Sequence, residues 1–266
     1  MGYKKKLHNI KGILTDIDGT LYFKGKIIPN SVETISKLRE AGIKLLFLTN
    51  TDSKSPYTVI KTLEEYGFTI NKDEIFTPII AVREFLNKHP NKTSYFVTTK
   101  EVAEELREFQ QVKNFAIPDF VIIGDFHDDW NINRLNLAFK YVLKGATLLG
   151  TQGNIYYLDR SGEPVIDTGS FVNMIANAAN VTPIILGKPS REFFQQALEK
   201  LSLNANEVLV IGDDLESDIQ GAINAGIRGI LVKTGKGQFV NSTNLGYKPH
   251  LILDSFSSLK EVVKLR

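Results

Sequence analysis

Short apolar runs alternate along the chain with longer stretches in which apolar positions recur every three to four residues. The runs Ile10–Thr15, Ile43–Leu48, Ile184–Leu186, Val208–Ile211 and Ile227–Val232 predict strands, as do Thr93–Thr98, Phe120–Ile123 and Ala146–Gly150. Helical patterns cover Ser31–Ala41, Pro56–Tyr66, Glu101–Phe109, Asn133–Leu143, Phe171–Ala179, Arg191–Leu201 and Ser217–Ala225. Asn30 or Ser31 caps the first of these and Gly42 stops it; Ser55-Pro56 opens the second and Gly67 closes it. Apolar strands separated by helices predict an α/β fold on a largely parallel sheet. Residues 80–183 carry the same alternation on their own and are numerous enough to fold alone. They are expected to form a second domain inserted into a first made of residues 1–79 and 184–266, entered near Thr77-Pro78 and left near Thr182-Pro183.

Four of the apolar runs end in polar groups. Ile13-Leu14-Thr15 stops at Asp16, with Asp18 beyond it, and Leu45-Leu46-Phe47-Leu48 stops at Thr49-Asn50-Thr51. Ile184-Ile185-Leu186 stops at Gly187-Lys188-Pro189, and Val208-Leu209-Val210-Ile211 at Gly212-Asp213-Asp214. If all four lie in one parallel sheet, their carboxyl ends share one edge, and ligands bind in the crevice beyond it. The chemistry brought there is complementary. Asp16, Asp18 and Asp213 are hard oxygen ligands suited to Mg²⁺, and Thr49 and the backbone N–H groups near Asn50 donate to phosphate oxygens. Lys188 adds a compact positive charge. Phosphoryl transfer needs chiefly positioning, a metal and cations around the equatorial oxygens, and an aspartate can itself attack phosphorus. Side chains at i and i+2 of a strand share a face, so Asp16 and Asp18 are expected to address one substrate, one as nucleophile and one as proton carrier.

Each of these residues has a plainer reading: a turn at Asp16 and Asp18, a loop at Thr49–Asp52, a solvated Lys188, a helix start at Asp213 or Asp214. That last reading is kept for Asp214. The shared placement of all four groups at strand ends argues for chemistry.

Composition excludes several classes. Lys and Arg number 32 against 30 Asp and Glu, a net charge of +2, which offers no general footing for nucleic acid or membranes. The Lys4-Lys5-Lys6 cluster reads as a solvated tail. Cysteine is absent, which removes disulfides, thiolate metal sites and a cysteine nucleophile and fits a reducing cytoplasm. No apolar run approaches the ~20 residues of a membrane span, and no secretory signal pattern opens the chain. A cytoplasmic location is expected.

The strand-end motifs resemble those of the haloacid dehalogenase-like superfamily, in its phosphatase branch. Asp16-Ile17-Asp18-Gly19-Thr20-Leu21 is similar to the first motif of that family and Leu48-Thr49-Asn50 to the second. Gly187-Lys188-Pro189-Ser190 is similar to the third, and Gly212-Asp213-Asp214 with Asp218 to the fourth. The long segment between motifs two and three resembles the subgroup with a large α/β cap, subfamily IIA. Asp73-Glu74-Ile75-Phe76-Thr77 and Ile230–Lys236 are similar to segments of the branch that contains the phospholysine phosphohistidine inorganic pyrophosphate phosphatases. The resemblance implies a Rossmann-like parallel-sheet core with an inserted cap and a Mg²⁺-dependent phosphatase working through an aspartyl-phosphate. It implies Asp16 as nucleophile and metal ligand, and Asp18 as acid and base with its backbone carbonyl on the metal. Thr49, Asn50, Thr51 and Lys188 would hold the phosphoryl group, Asp213 the metal, and Asp218 would support it. The implied partner is a phosphorylated small molecule, and caps of this subgroup often mediate dimers, so a homodimer through the cap is expected. Two other readings stay open: a non-catalytic phosphate-binding module on the same fold, and a phosphomutase.

Other stretches carry less. Thr234-Gly235-Lys236-Gly237 lacks the Ser or Thr and the glycine spacing of a phosphate loop and reads as a plain loop. His8, His89, His127 and His250 show no metal-ligand spacing, and Tyr156-Tyr157 reads as cap packing. Asp167-Thr168-Gly169-Ser170 precedes a helix. Either Thr168 or Ser170 caps that helix, or Gly169 and Ser170 form a loop that reads the substrate's leaving group.

Overall fold

The computed structural model describes residues 7–109, 116–159, 161–240 and 248–263. The Lys4-Lys5-Lys6 cluster and Arg160 lie outside the described residues. By packing, the chain forms two compact units. One holds Met1–Thr49, Ile60–Phe76 and Arg191–Arg266; the other holds Asn50–Val59 and Thr77–Ser190.

The first unit is built on a six-stranded sheet. Its strands run in the order Leu251–Leu253, Arg228–Val232, Val208–Gly212, Gly12–Asp16, Lys44–Leu48 and Ile75–Phe76. All neighbours are parallel. Every residue of Gly12–Asp16 and Val208–Gly212 is buried, as a parallel sheet covered on both faces requires. From Gly12–Asp16 the chain proceeds first to Lys44–Leu48 on one side and later to Val208–Gly212 on the other. The strand order therefore reverses beside Gly12–Asp16, the topology that opens a ligand crevice at the carboxyl edge. The helix Arg191–Leu201 buries Phe193, Phe194, Ala197 and Leu201 on one face, and Phe193 lies 4.9 Å from Phe76, ring centre to ring centre.

Two strands of this sheet, Ile75–Phe76 and Leu251–Leu253, are too short to show a period and escape the sequence reading. So does the hairpin of Tyr22–Phe23 with Lys26–Ile27. Its two loop residues, Lys24 and Gly25, both have positive φ, 49° and 73°, the turn whose twist matches paired strands. The helix expected over Ser217–Ala225 instead begins at Leu215, as a π-helical turn through Gln220 followed by Gly221–Asn224. Asp214 starts it: its Oδ1 accepts the N–H groups of Glu216 at 2.9 Å and Ser217 at 3.1 Å.

The second unit has its own four-stranded parallel sheet, ordered Ile184–Ile185, Thr147–Gly150, Phe120–Ile123, Ser94–Val97. One expectation is corrected here. The Ile184–Ile185 strand does not join the sheet that carries Asp16; it pairs with Thr147–Gly150 in the second sheet. The helices Ile132–Leu143 and Thr168–Ala179 bury Leu135, Ala138, Val142, Val172, Ile175 and Ala176 in one apolar core with Val121, Ile123 and Phe126. The helix Pro78–Asn87, absent from the sequence reading, starts with Thr77 accepting the N–H of Ile80 at 3.3 Å and with proline in its first turn. An antiparallel pair, Tyr156–Leu158 with Pro164–Ile166, closes at Asp159, whose Oδ1 accepts from the N–H groups of Ser161, Gly162 and Glu163.

Asn50–Val59 is fastened into the second unit by Asp52, which is only 3% exposed. Its Oδ2 accepts the hydroxyls of Thr151 and of Thr168, the latter at 2.8 Å, and the N–H of Asp125 at 3.2 Å. Burial first, then the charge of Asp167, push its pKa from an ordinary 3.8 up to about 7, against the two hydroxyl bonds. The folded state therefore holds this proton more tightly than the unfolded chain does. The stabilisation is fully present below pH 3.8 and is lost as pH rises through about 7. The wild-type minus Asp52→Asn difference in unfolding free energy, from denaturant titrations at pH 5 and pH 8, is expected to fall with rising pH by roughly 2–3 kcal/mol. A pH-independent difference would contradict this account.

Candidate active site

Asp16 is the last residue of the central strand and is buried. The hydroxyl of Thr20, wholly buried, donates to Asp16 Oδ2 at 3.0 Å. Asp213 follows the neighbouring strand, and Asp218 lies in the helical turn that Asp214 starts. Asp16, Asp213 and Asp218 each bring a carboxylate oxygen to within 4.8 Å of the other two, and all three are buried. Like charges this close and this dry repel strongly. Burial first, then Asp16 and Asp218, raise the Asp213 carboxyl well above the usual range, while the N–H of Lys236 acts the other way. An all-carboxylate, buried donor set suits a hard divalent cation, which relieves the repulsion.

Asp18 is placed differently from its partner. The strand ends at Asp16, so the face-sharing of i and i+2 does not extend to Asp18, which is exposed. Asp18 instead makes a bridge with Tyr22 at the base of the hairpin, where the N–H of Gly19 donates to the carbonyl of Tyr22 at 2.7 Å. Thr49 is buried just past the strand Lys44–Leu48.

The second unit holds Asn50, Thr51 and Lys188. The Asn50 side chain is committed to Lys188. Its Oδ1 accepts the Lys188 N–H at 2.9 Å, and its Nδ2 donates to the Lys188 carbonyl at 3.0 Å and to Asn154 Oδ1 at 3.2 Å. Its amide fixes the peptide of a lysine that is itself buried. Neither Thr168 nor Ser170 caps the helix Thr168–Ala179. Asp167 does, accepting the N–H of Thr168 at 2.8 Å. The Ser170 hydroxyl donates to the Ile155 carbonyl at 2.7 Å. A Cβ on Gly169 would stand 2.4 Å from the Gly153 carbonyl oxygen and 2.6 Å from that of Asn154, so packing alone demands glycine there. Among the described residues, no helix is long and apolar enough to cross a membrane.

A family model for haloacid dehalogenase-like hydrolases matches residues 13–111, and one for related hydrolases of this kind matches residues 185–259. Over 247 residues the chain is 32% identical to haloacid dehalogenase-like hydrolase domain-containing protein 2 of Bos taurus, covering 93% of each. The chain belongs to the haloacid dehalogenase-like hydrolases. Within them it is 31% identical to the human phospholysine phosphohistidine inorganic pyrophosphate phosphatase, over 87% of this chain and 86% of that protein. The p-nitrophenyl phosphatase of Archaeoglobus fulgidus superposes with a TM-score of 0.84 at 25% identity, covering 94% of this chain and 98% of that one. The chain is thus an enzyme of the phosphatase branch of this hydrolase family, with the parallel α/β architecture that its motifs implied.

In this haloacid dehalogenase-like hydrolase, one segment that supports the site is given no role by the motifs. Thr234-Gly235-Lys236, dismissed as a loop, follows the strand Arg228–Val232 at the same sheet edge. The Lys236 N–H donates to Asp213 Oδ2 at 2.7 Å, its ammonium pairs with Asp214 at 2.6 Å, and the Thr234 hydroxyl donates to the Gly19 carbonyl at 2.5 Å. Asp213 is wedged between two backbones: a Cβ on Gly19 or Gly235 would stand 2.1 or 2.0 Å from its Oδ2. The signals available were the similarity of Ile230–Lys236 to family segments and its position at the end of one more apolar strand. Because Asp213 is held against two other carboxylates, Asp213→Asn is expected to stabilise the metal-free protein. Denaturant titration in EDTA at pH 8 should show a gain of about 1–2 kcal/mol; a loss would show that the repulsion is already neutralised within the protein.

Proposed function

We propose that the protein is a Mg²⁺-dependent phosphatase that hydrolyses a phosphomonoester through an aspartyl-phosphate on Asp16. The observation that carries this reading is the buried Asp16 carboxylate at the end of the central strand, in one group with those of Asp213 and Asp218. Asp16 and Asp213, with the backbone carbonyl of Asp18, would hold the Mg²⁺, and Asp218 would support Asp213. When bound, the ion supplies charge neutralisation for the phosphoryl oxygens and for the attacking carboxylate.

In the first half-reaction a carboxylate oxygen of Asp16 attacks phosphorus and the ester P–O bond breaks. Asp18, protonated, gives its proton to the leaving alkoxide. In the second, the Asp18 carboxylate takes a proton from water as the water oxygen attacks phosphorus, releasing inorganic phosphate and restoring Asp16. Thr49, the backbone at Asn50 and Thr51, and the Lys188 ammonium are assigned to the phosphoryl oxygens, with the Asn50 amide holding the Lys188 peptide in place. The insertion between motifs two and three is assigned the role of a cap that keeps stray water from the acyl phosphate. Residues 80–183 are its sequence-read extent. Gly169 and Ser170 are assigned to leaving-group recognition within it; substitution at Ser170 tests this, since Gly169 is fixed by packing. The substrate class is a phosphorylated small molecule, and the setting proposed is the cytoplasm.

Asp16→Asn is expected to lower turnover of p-nitrophenyl phosphate by at least about a thousandfold with an unchanged melting curve. EDTA should stop the wild-type enzyme and Mg²⁺ should restore it. Near wild-type turnover by the variant, or turnover indifferent to EDTA, would sink the mechanism. The cap is also proposed to join two copies, so light scattering should give twice the monomer mass; a strict monomer would reverse that assignment.

A further inference from the structure

Asp18 poses a problem that Asp16 does not. Asp16 is buried at the end of a hydrogen-bonded strand and takes the Thr20 hydroxyl. Asp18 is exposed and lies outside the strand. An exposed aspartate samples several rotamers unless a neighbour selects one, yet a proton carrier acts only from a defined position.

Tyr22 supplies the selection. Its phenol hydroxyl hydrogen-bonds the Asp18 side chain, and its backbone pairs with Asp18 across the tight turn. The ring is itself held. It stacks on Tyr66 with ring centres 4.4 Å apart and planes 21° from parallel, and the hairpin turn at Lys24-Gly25 fixes its backbone. A tyrosine phenol is protonated at neutral pH and so serves as a donor.

We propose that Tyr22 is a positioning residue for Asp18, its hydroxyl holding one carboxylate oxygen so that the other exchanges the proton with the leaving group and the attacking water. This rests on the acid–base role of Asp18 proposed above. A donor on the carboxylate also stabilises the negative charge that Asp18 acquires as its proton departs. Tyr66 acts one step further back, as the surface against which the Tyr22 ring lies.

The test uses two substrates of nearly equal shape and unequal need for an acid. p-Nitrophenoxide leaves readily without a proton, whereas phenoxide, about three pKa units more basic, depends on one. The readout is kcat/KM, which covers the steps up to departure of the alcohol. Asp18→Asn is expected to lose at least about tenfold more for phenyl phosphate than for p-nitrophenyl phosphate. Tyr22→Phe, which keeps the ring and its stack, should shift the same ratio in the same direction by about fivefold. The double variant should be no worse than Asp18→Asn alone. Tyr66→Leu, which leaves the phenol in place, should give a smaller shift of the same sign, and serves if Tyr22→Phe melts early. An equal loss on both substrates would make Tyr22 merely structural and overturn the inference, as would no change. If Asp18→Asn itself shows no leaving-group dependence, the acid–base role of Asp18 fails. If only Tyr22→Phe lacks it, the failure is confined to Tyr22.

Discussion

Three carboxylates that repel one another, buried with oxygens within 4.8 Å, are the constraint around which the first unit is organised. Apolar parallel strands cannot carry such groups along their length, because both faces are covered; they can deliver them only at their ends. The sheet does so twice, at Asp16 and Asp213, on adjacent strands. Much of what surrounds the group is backbone. The N–H groups of Lys236 and Asp214 donate to Asp213 and Asp218 at 2.7 and 3.1 Å. Main-chain donors are fixed dipoles with no side-chain freedom to lose, so they steady the oxygens without filling the space a ligand needs. Glycine at 235 lets the Lys236 N–H reach Asp213, and glycine at 19 leaves room for the Asp213 carboxylate.

In the second unit a neutral amide does comparable work. Asn50 both donates to and accepts from the peptide of Lys188, as a neighbouring strand would. One residue thereby substitutes for a piece of sheet at a point where no strand is available. The same short segment carries Asp52, whose three donors tie it to Thr151, Thr168 and Asp125. Hydrogen bonds to a buried carboxyl, together with the buried Val59 side chain, anchor these ten residues to their unit.

The fold class and two residues of the carboxylate group, Asp16 and Asp213, were legible in the sequence, because an apolar run closing on a carboxylate is a pattern that chain order preserves; Asp218 came only with the motif resemblance. What failed to show depended on partners far away in sequence. Ile184-Ile185 looks the same whichever sheet it joins; its pairing with Thr147–Gly150 is a tertiary choice. Asp18 was read as a strand residue, but no pattern marks the residue at which a ladder stops. Thr234–Lys236 has no period at all, and its importance lies in standing opposite Gly19. Tyr22 carries no motif signal, and its stack on Tyr66 is a contact between residues far apart in the chain. At Gly169 the sequence does not show the close approach of two carbonyls that makes glycine necessary.

The register of the central strand sets an order of events during synthesis. Gly12 lies opposite Lys44 on one side and Val208 on the other, a separation of roughly 200 residues on the second side that makes this pairing slow to find. On the ribosome the strand that ends in Asp16 gains its first neighbour early, while its other edge waits until Val208–Gly212 has emerged. By then the stretch from Thr77 to Ser190, with its own sheet and apolar core, is already outside the exit tunnel and free to fold. The edge at Ile13 and Leu14 is the one most in need of protection in that interval. The enzyme's central strand is thus among the first segments made and among the last to be fully paired.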